Sequence, residues 1–363
     1  MMLSAPKTTL PSWEHLRASM PEEAQVRAFL ERGAVMAWSE DRWIIGWGEA
    51  ERSAQPDKAR PSFYAPDFFL RDGNPWRIYP HAAAVSPDGL AQLLRRNATR
   101  RSWHSFDEKK FAAAFGKAKQ ALRNGRLRKA VPAVFETSAG PLTVAERELA
   151  LRTAANLPSG LMPYGFWDTG GGMIGASPEL LFEDDGVEIH TVAVAGTARS
   201  GAVPEEMMDD PKEREEHQLV LDDVAARLAP LGSVTKGATR LWRVGMLSYL
   251  RTDLRVAPRQ AADFAGLVDR LHPTPAVGIA PRGDWRAIVP ELDAAPRAYF
   301  GAPFGFTLPG GPSRCLVAIR GVQWDTATAR CGAGCGIVPG SMLERELAEL
   351  HLKIAATRGN LGL

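Results

Sequence analysis

The stretch that decides the fold is residues 164–196, YGFWDTGGGMIGASPELLFEDDGVEIHTVAVAG. Its apolar runs are separated by the breaks TGGG and DDG, which are turn signals of β-hairpins. The stretch therefore predicts a β-meander. A Gly-rich segment can also bind phosphate, but no helix with Lys and Ser or Thr follows residues 170–172, so a turn is predicted there.

Strand signals dominate on both sides of this stretch. The first hundred residues alternate short apolar runs with Pro- and Gly-rich breaks, and KAVPAVFET and CLVAIRGVQWDTATARCGAGCGIV are also typical of strands. Helices are predicted at DEKKFAAAFGKAKQALRNG, from about Pro211, and at the C-terminus. Many strands and few helices, without regular alternation, favour an α+β fold with mainly antiparallel sheet.

Composition excludes several classes of function. A chain of 363 residues with 45% apolar content is globular, and the absence of a repeat or low-complexity linker gives no reason to divide it. A net charge of +2 without a nucleic-acid-binding motif argues against a nucleic-acid partner. No signal peptide or membrane span is recognisable, so we expect a cytoplasmic protein. Cys315, Cys331 and Cys335 lack the partners of a disulfide framework or zinc site, so they are predicted to be buried thiols.

The segment DDPKEREEHQLVLDD (residues 209–223) predicts a helix with Pro211 in its first turn. Its apolar residues mark a buried face, and Glu216 lies three and four residues before two of them, so it points to that face. Glu215 and Asp222 project elsewhere as ordinary surface charges. A carboxylate turned toward a core is costly unless it is paired or metal-bound. Glu216 is therefore either paired at the edge of the core or a ligand.

The C-terminal helix adds a second set of carboxylates. Ser341 and Glu344 have capping-box spacing, which predicts its start. Glu346, Glu349 and Lys353 form one line beside its apolar stripe. Such a line is commonly a salt-bridged surface, but it also suits a hard cation with an anionic ligand beside it. Glu216 together with Glu349 would make a two-carboxylate Mg²⁺ site.

Several motifs occur in an order that resembles a known family. They are IGASPELLFEDDGVEIHTVAVAGTARSG, KEREEHQLV, LHPTPAVGIAP, AIRGV and CGAGCGIVPGS. The chain resembles the chorismate-utilising enzymes, which include anthranilate, aminodeoxychorismate, salicylate and isochorismate synthases. The resemblance implies one large α+β domain of two packed, mainly antiparallel sheets with helices outside. Residues 106–363 would form the chorismate-binding catalytic region, and residues 1–105 carry a weak family signal.

The resemblance also implies roles for individual residues. Glu179, in GASPE, would be the general acid that protonates the departing C4 hydroxyl. Glu216 and Glu349 would hold Mg²⁺, and Glu346 would hold a metal-bound water. Chorismate is a dianion, so a cation, an Arg fork and a Lys are suitable partners for it. The implied substrate-binding positions are Gly196, Thr197, Ala276, Arg320, Gly334 and Lys353.

Two positions favour one member of the family. Lys129 stands where the water-using members carry a Lys base. It could be one more basic residue after Arg126 and Arg128, but the strand-like residues that follow predict that it points inward. Ala276, in HPTPA, stands where amine-transferring and salicylate-forming members usually have Thr. Together they favour isochorismate synthase.

The predicted reaction is the reversible conversion of chorismate to isochorismate. Lys129 would activate a water that attacks C2 while Glu179 protonates the leaving C4 hydroxyl. A monomer is expected that binds chorismate and requires no amidotransferase partner. Another chorismate enzyme and a chorismate-binding protein without catalysis stay open as alternatives.

Three departures from the family pattern border the expected pocket. Tyr249, in SYLRT, replaces the His of a V-x-HL run. The run after Lys129 is AVPAVFE and lacks a usual Arg, and Ala302 and Pro303 interrupt a glycine pair. The position of the substrate could therefore differ in this chain.

Overall fold

The computed structural model of the chain describes residues 22–95, 101–199 and 204–363. In these ranges the helices are α1 (Glu23–Glu31), α2 (Pro87–Leu93), α3 (Glu108–Arg123), α4 (Val144–Ala154), α5 (Pro204–Asp209), α6 (Pro211–Leu228), α7 (Phe264–Leu271), α8 (Trp285–Leu292) and α9 (Leu343–Leu361). The first strands are β1 (Gly33–Ala37), β2 (Trp43–Trp47), β3 (Glu51–Ser53), β4 (Ser62–Tyr64), β5 (Trp76–Ile78), β6 (His81–Val85), β7 (Lys129–Ala130), β8 (Ala133–Ala139), β9 (Met162–Asp168) and β10 (Gly171–Ser177). The later strands are β11 (Leu180–Asp184), β12 (Ile189–Arg199), β13 (Gly232–Lys236), β14 (Arg240–Val244), β15 (Leu247–Pro258), β16 (Ile279–Ala280), β17 (Pro303–Thr307), β18 (Ser313–Val317), β19 (Gly321–Asp325) and β20 (Thr328–Gly334).

The strands form two large antiparallel sheets and one short ribbon. The first sheet has the order β6-β2-β1-β9-β10-β19-β20-β8. The second has the order β13-β15-β12-β11-β18-β17-β4-β5-β3, with β14 also paired to β15. The ribbon pairs β7 with β16.

The stretch of residues 164–196 supplies strands to both sheets. Strands β9 and β10 form a hairpin in the first sheet, and β11 and β12 form one in the second. The turn predicted at residues 170–172 joins β9 to β10, as expected. The prediction of one continuous meander is wrong, because β10 ends at Ser177 and β11 begins at Leu180 in the other sheet. Pro178 and Glu179 form the crossing, and this places Glu179 between the two layers.

The two sheets pack face to face, with helices on their outer faces. Met36 and Phe166 of the first sheet share a buried cluster with Val192 and Phe304 of the second. The opposite faces form a larger cluster with the apolar sides of the helices. Burial of these faces is the main source of stability for such layers. The predicted α+β fold of two packed, mainly antiparallel sheets with helices outside is confirmed.

The three predicted helices are present as α3, α6 and α9, but one predicted cap is absent. Helix α9 begins at Leu343 after Met342, whose side chain makes no capping hydrogen bond. The Ser341 hydroxyl accepts a hydrogen bond from the Val338 backbone N–H at 3.1 Å and donates to the Gly336 carbonyl at 3.4 Å. The capping-box prediction was wrong, because Ser341 holds the preceding loop instead.

Two further expectations concern cysteines and membranes. Cys315, Cys331 and Cys335 are free and buried, as predicted. Among the described helices, none is long and apolar enough to cross a membrane.

Candidate functional site

The predicted site residues lie on separate elements of the fold. Ribbon strand β7 carries Lys129, the crossing between the sheets carries Glu179, and helix α6 carries Glu216. Their side chains are buried, whereas Glu215 and Asp222 on α6 are exposed, as the face argument predicted. The other predicted residues are Gly196 and Thr197 on β12, Ala276 before β16, Arg320 before β19, Gly334 on β20, and Glu346, Glu349 and Lys353 on α9.

Helices α6 and α9 bring together a group that we call the acidic cluster: Lys212, Glu213, Glu216, Glu346 and Glu349. The Lys212 ammonium lies 3.2 Å from Glu213 Oε1, 3.0 Å from Glu216 Oε2 and 3.5 Å from Glu346 Oε1. Its side chain is only 9% exposed. A lysine thus occupies the space between carboxylates of two helices.

Charge and burial act in opposite directions in this cluster. Burial alone would raise the pKa of Glu216, but the ammonium groups of Lys129 and Lys212 outweigh it and hold that pKa at about 2. Burial, with the Glu349 carboxylate nearby, raises the pKa of Glu346 to about 7. Burial also opposes the charge on Lys212, but the surrounding carboxylates outweigh it and raise the pKa of Lys212. Glu216 is therefore the most firmly ionised of these buried acids.

Lys129, the candidate base, and Glu216, a candidate metal ligand, form an ion pair. The Lys129 ammonium is fully buried and lies 3.1 Å from Glu216 Oε1, without the angles of a hydrogen bond. Gly336 leaves room for this pair, because an added Cβ would lie 2.0 Å from Glu216 Oε1 and 2.8 Å from Lys129 Cε. The backbones of Ala130 and Ile337 are hydrogen-bonded to each other, which fixes Gly336 beside β7.

A bulge in β12 places Gly196 and Thr197 next to the acidic cluster. Pairing with β15 shifts register between Ala195 and Ala198. Gly196 has a φ of +72°, a region that favours glycine, and a Cβ there would lie 2.6 Å from Glu213 Oε2. The Thr197 backbone N–H donates to the same oxygen at 3.2 Å.

Glu179 is a buried acid at the crossing between the sheets. The Thr274 hydroxyl donates to Glu179 Oε1 at 3.3 Å. Burial raises the pKa of Glu179 to about 7, although the charges of Lys129 and Lys353 and the Thr274 hydrogen bond oppose the shift. A carboxyl group with such a pKa can hold a proton near neutral pH and donate it.

The remaining residues form what we call the basic end: Ala276, Arg320, Gly334 and Lys353. They line a cavity of about 50 Å³. The Lys353 ammonium donates to the Gly334 carbonyl at 2.8 Å and pairs with Glu349 Oε1 at 2.5 Å. Lys353 therefore links the basic end to the acidic cluster.

The acidic cluster faces a larger cleft of about 330 Å³, lined by Thr197, Lys212, Glu213, Glu346 and Glu349. A cavity of about 380 Å³ lies elsewhere, near Trp38 and Arg314, and holds none of the predicted residues. Size alone therefore does not identify the site; the convergence of buried charged groups does.

The donors of the acidic cluster fit a magnesium ion. They are oxygen atoms, and Glu346 Oε2 is buried without a hydrogen-bond partner. Among the described residues, no three acidic, histidine or cysteine side chains are grouped so that they could hold a metal by themselves. Mg²⁺ typically takes one or two carboxylates and keeps several waters, so two protein ligands are sufficient. Glu216 and Glu349 stay the predicted ligands.

Sequence reasoning missed Lys212 and Glu213. Lys212 precedes Glu216 by four residues, a spacing at which side chains on a helix meet, so its contact with Glu216 could have been anticipated. Its contact with Glu346 could not, because that residue lies on another helix far along the chain.

The chain is similar in sequence to known proteins. A sequence model of the family described as chorismate binding enzyme matches residues 84–362. The chain is 29% identical over 318 residues to the salicylate biosynthesis isochorismate synthase of Pseudomonas aeruginosa, covering 80% of this chain and 66% of that protein. It is 26% identical over 334 residues to the isochorismate synthase MenF of Bacillus subtilis, covering 89% and 65%. The chain thus spans slightly less than two thirds of the length of these relatives.

Solved structures show the same fold at lower identity. MenF, the menaquinone-specific isochorismate synthase of Escherichia coli, superposes with a TM-score of 0.76 at 20% identity, over 95% of this chain and 92% of that one. Anthranilate synthase component I of Streptococcus pneumoniae gives 0.68 at 16% identity, over 90% and 92%. The family match over most of the chain confirms the resemblance noted in the motifs, and the chain belongs to the chorismate binding enzyme family.

Proposed function

We propose that this chain is a Mg²⁺-dependent isochorismate synthase that converts chorismate reversibly to isochorismate. The observation that carries the proposal is a buried acid, Glu179, close enough to a buried lysine, Lys129, for the lysine charge to act on it. The pKa of Glu179 is about 7. Addition of water at C2 with loss of the C4 hydroxyl requires a base and an acid of this kind. Relatives named isochorismate synthase support the same reaction.

Glu179 and Lys129 would each transfer one proton in this reaction. Glu179 holds the proton that the departing C4 hydroxyl needs, because hydroxide is a poor leaving group. Lys129 removes a proton from the attacking water, for which it must be neutral. Its ammonium nitrogen lies 3.1 Å from Glu216 Oε1.

Glu216 and Glu349 would hold the magnesium ion. When bound, the ion would supply positive charge that offsets these carboxylates and would orient the ring carboxylate of chorismate. Arg320 would bind the enolpyruvyl carboxylate, and Lys353, which links the two ends of the site, would fix Glu349.

The test is product analysis of purified protein incubated with chorismate and Mg²⁺. Chromatography should show isochorismate without salicylate or an aminated product. Salicylate would identify a salicylate synthase, and an aminated product formed with ammonia would identify an amine-transferring member. Chorismate binding without any product would instead support a protein that binds chorismate without catalysis.

The role of Lys129 has a matched control in its neighbour. Lys129→Ala should abolish formation of isochorismate, because the base is lost. Arg128→Ala should leave the rate unchanged, because Arg128 is exposed on the adjoining position. Equal rates in both variants would eliminate Lys129 as the base.

A further inference from the structure

The Arg320 guanidinium is a buried cation, and its hydrogen-bond acceptors among the described residues are neutral. Arg320 is 6% exposed and has a φ of +57° in the segment between β18 and β19. In the described part of the chain, no Asp or Glu lies within ion-pair distance of it. Its hydrogen bonds are a donation from Nη1 to the Lys353 carbonyl at 3.3 Å and one from Nη2 to Tyr249 Oη at 2.6 Å.

Tyr249 lies on a strand of the second sheet, whereas Arg320 directly precedes strand β19 of the first sheet. Tyr249 lies on β15 across from the β12 bulge that carries Gly196 and Thr197. It is 5% exposed, and its ring packs on Trp242 with the centroids 6.0 Å apart. Sheet pairing and this packing fix the position of the phenol oxygen independently of Arg320.

The direction of the Tyr249 hydrogen bond follows from chemistry. A guanidinium can only donate, so the phenol oxygen accepts. One guanidinium nitrogen is thereby held by the tyrosine and another by a backbone carbonyl. A rigid guanidinium loses little freedom when it binds a carboxylate, which favours affinity.

We propose that Tyr249 is a positioning residue that fixes the Arg320 guanidinium at the basic end for a carboxylate of the substrate. The inference rests on the proposed function for the identity of that substrate, chorismate. The family motif has His at this position, so the tyrosine contact is a property of this chain. The contact also gives the Tyr249 departure a consequence, because the phenol oxygen accepts a hydrogen bond from Arg320.

The test measures chorismate affinity and turnover in Tyr249→Phe, which keeps the ring and removes the acceptor. Hydrogen bonds to charged groups are among the stronger ones, so we expect KM and the calorimetric Kd for chorismate to rise about tenfold. We expect kcat to stay within about twofold, because Arg320 acts on binding and not on the reacting atoms. Tyr249→His restores an acceptor and should recover most of the affinity.

Tyr79→Phe is the matched control. Tyr79 is buried to a similar degree, 4% exposed, and packs on Phe63 away from the site. It should leave Kd and KM unchanged.

Three outcomes would overturn the inference. The first is an unchanged Kd in Tyr249→Phe. The second is equal loss of affinity in Tyr249→Phe and Tyr249→His together with a lowered unfolding temperature, which would show a purely structural role. The third is a wild-type protein that binds no chorismate. Failure of the proposed function has a different signature, namely chorismate binding without isochorismate, and the Kd comparison still decides the role of Tyr249.

Discussion

The acidic cluster and the basic end differ in how their buried charges are compensated. Between α6 and α9, carboxylates are neutralised by Lys212 and Lys129 of the same chain. At the basic end, the buried Arg320 donates to two neutral acceptors, and no carboxylate of the described residues pairs with it. Burying an unpaired charge costs free energy, so a cation kept without an anion favours binding of an anionic ligand.

The difference predicts how each end responds to ligands. A cation that enters the acidic cluster competes with ammonium groups already there, so its affinity depends on those lysines. A carboxylate that enters the basic end supplies a missing charge and needs no displacement of a protein anion from Arg320. Variants that change the charge at one end should therefore separate binding of Mg²⁺ from binding of chorismate.

After the loss of Lys129, the largest expected effect is that of Glu216→Gln. Glu216 is the carboxylate shared by Lys129 and Lys212, and its loss leaves two buried ammonium groups with less compensation. Breaking a buried ion pair by removing one partner costs about 3–5 kcal/mol of unfolding free energy. Turnover should also fall strongly, because the proposed base and the proposed metal site lose the carboxylate that they share. Calorimetry should also show loss of Mg²⁺-dependent chorismate binding.

Glu215→Gln is the control for this variant, because Glu215 is exposed on the same helix turn. It should behave as wild type. Equal Mg²⁺ and chorismate affinities in the two variants would contradict the assignment of Glu216 to the metal site.

Gly336→Ala should have the next largest effect. The added methyl would overlap Glu216 Oε1 and crowd the Lys129 side chain. Moving reactive groups by about 1 Å can cost about 100-fold in rate, and overpacking a core costs about 1–3 kcal/mol of unfolding free energy. Steady-state kinetics and thermal unfolding measure the two effects.

Gly116→Ala provides the comparison. Gly116 lies in helix α3, and an added Cβ there meets nothing within 4 Å. Alanine should raise stability slightly in an exposed helix and leave the rate unchanged. A Gly336→Ala enzyme with wild-type kinetics would show that the Lys129–Glu216 geometry tolerates displacement.

Lys212→Met tests whether the Lys212 ammonium competes with a metal ion for the carboxylates of the acidic cluster. Removal of a positive charge 3.0–3.5 Å from three carboxylates strengthens their attraction for a cation. We expect the calorimetric Kd for Mg²⁺ to fall at least about tenfold while the affinity of the basic end for chorismate changes less. Weaker Mg²⁺ binding would show that Lys212 helps to build the metal site.

Arg345→Met is the matched control for Lys212→Met. Arg345 lines the same cleft, but it is 60% exposed and pairs with Asp210 outside the cluster. Its loss should change Mg²⁺ affinity little, because solvent screens an exposed charge.

Local sequence patterns were sufficient for the fold class and for part of the site. Helical periodicity identified Glu216 as a carboxylate on a buried face, and the strand-like run after Lys129 predicted its burial. Both depend only on neighbours within a few residues, where backbone geometry fixes side-chain direction. The position of Glu179 between the sheets could not be predicted from local patterns, because MIGASPELLFE gives no sign that the chain passes from one sheet to the other at Pro178.

Contacts between distant residues could not be predicted. Tyr249 and Arg320 are 71 residues apart, and the room that Gly336 leaves for Glu216 depends on a loop meeting a helix. The family resemblance gave Arg320 a role, but it did not show that a tyrosine would hold it. Such contacts depend on how the two sheets and the helices pack together. The residues next to each contact in the sequence do not determine that packing.

The smallest predicted effect is a pH dependence that originates at Glu179, between the two ends of the site. The pKa of Glu179 is raised from 4.5 to about 7 by burial, so the folded protein holds this proton more tightly than the unfolded chain. Its contribution to stability is therefore complete below about pH 4.5 and is lost as pH rises through about 7. Thermal unfolding measured between pH 5 and pH 8 should show this loss of stability. Glu179→Gln should flatten the stability profile in this window, whereas Glu188→Gln in the β11–β12 turn should not. Equal stability profiles in the wild type and in Glu179→Gln would show that Glu179 does not bind its proton more tightly in the folded protein, and the acid would then have to come from one of the two ends.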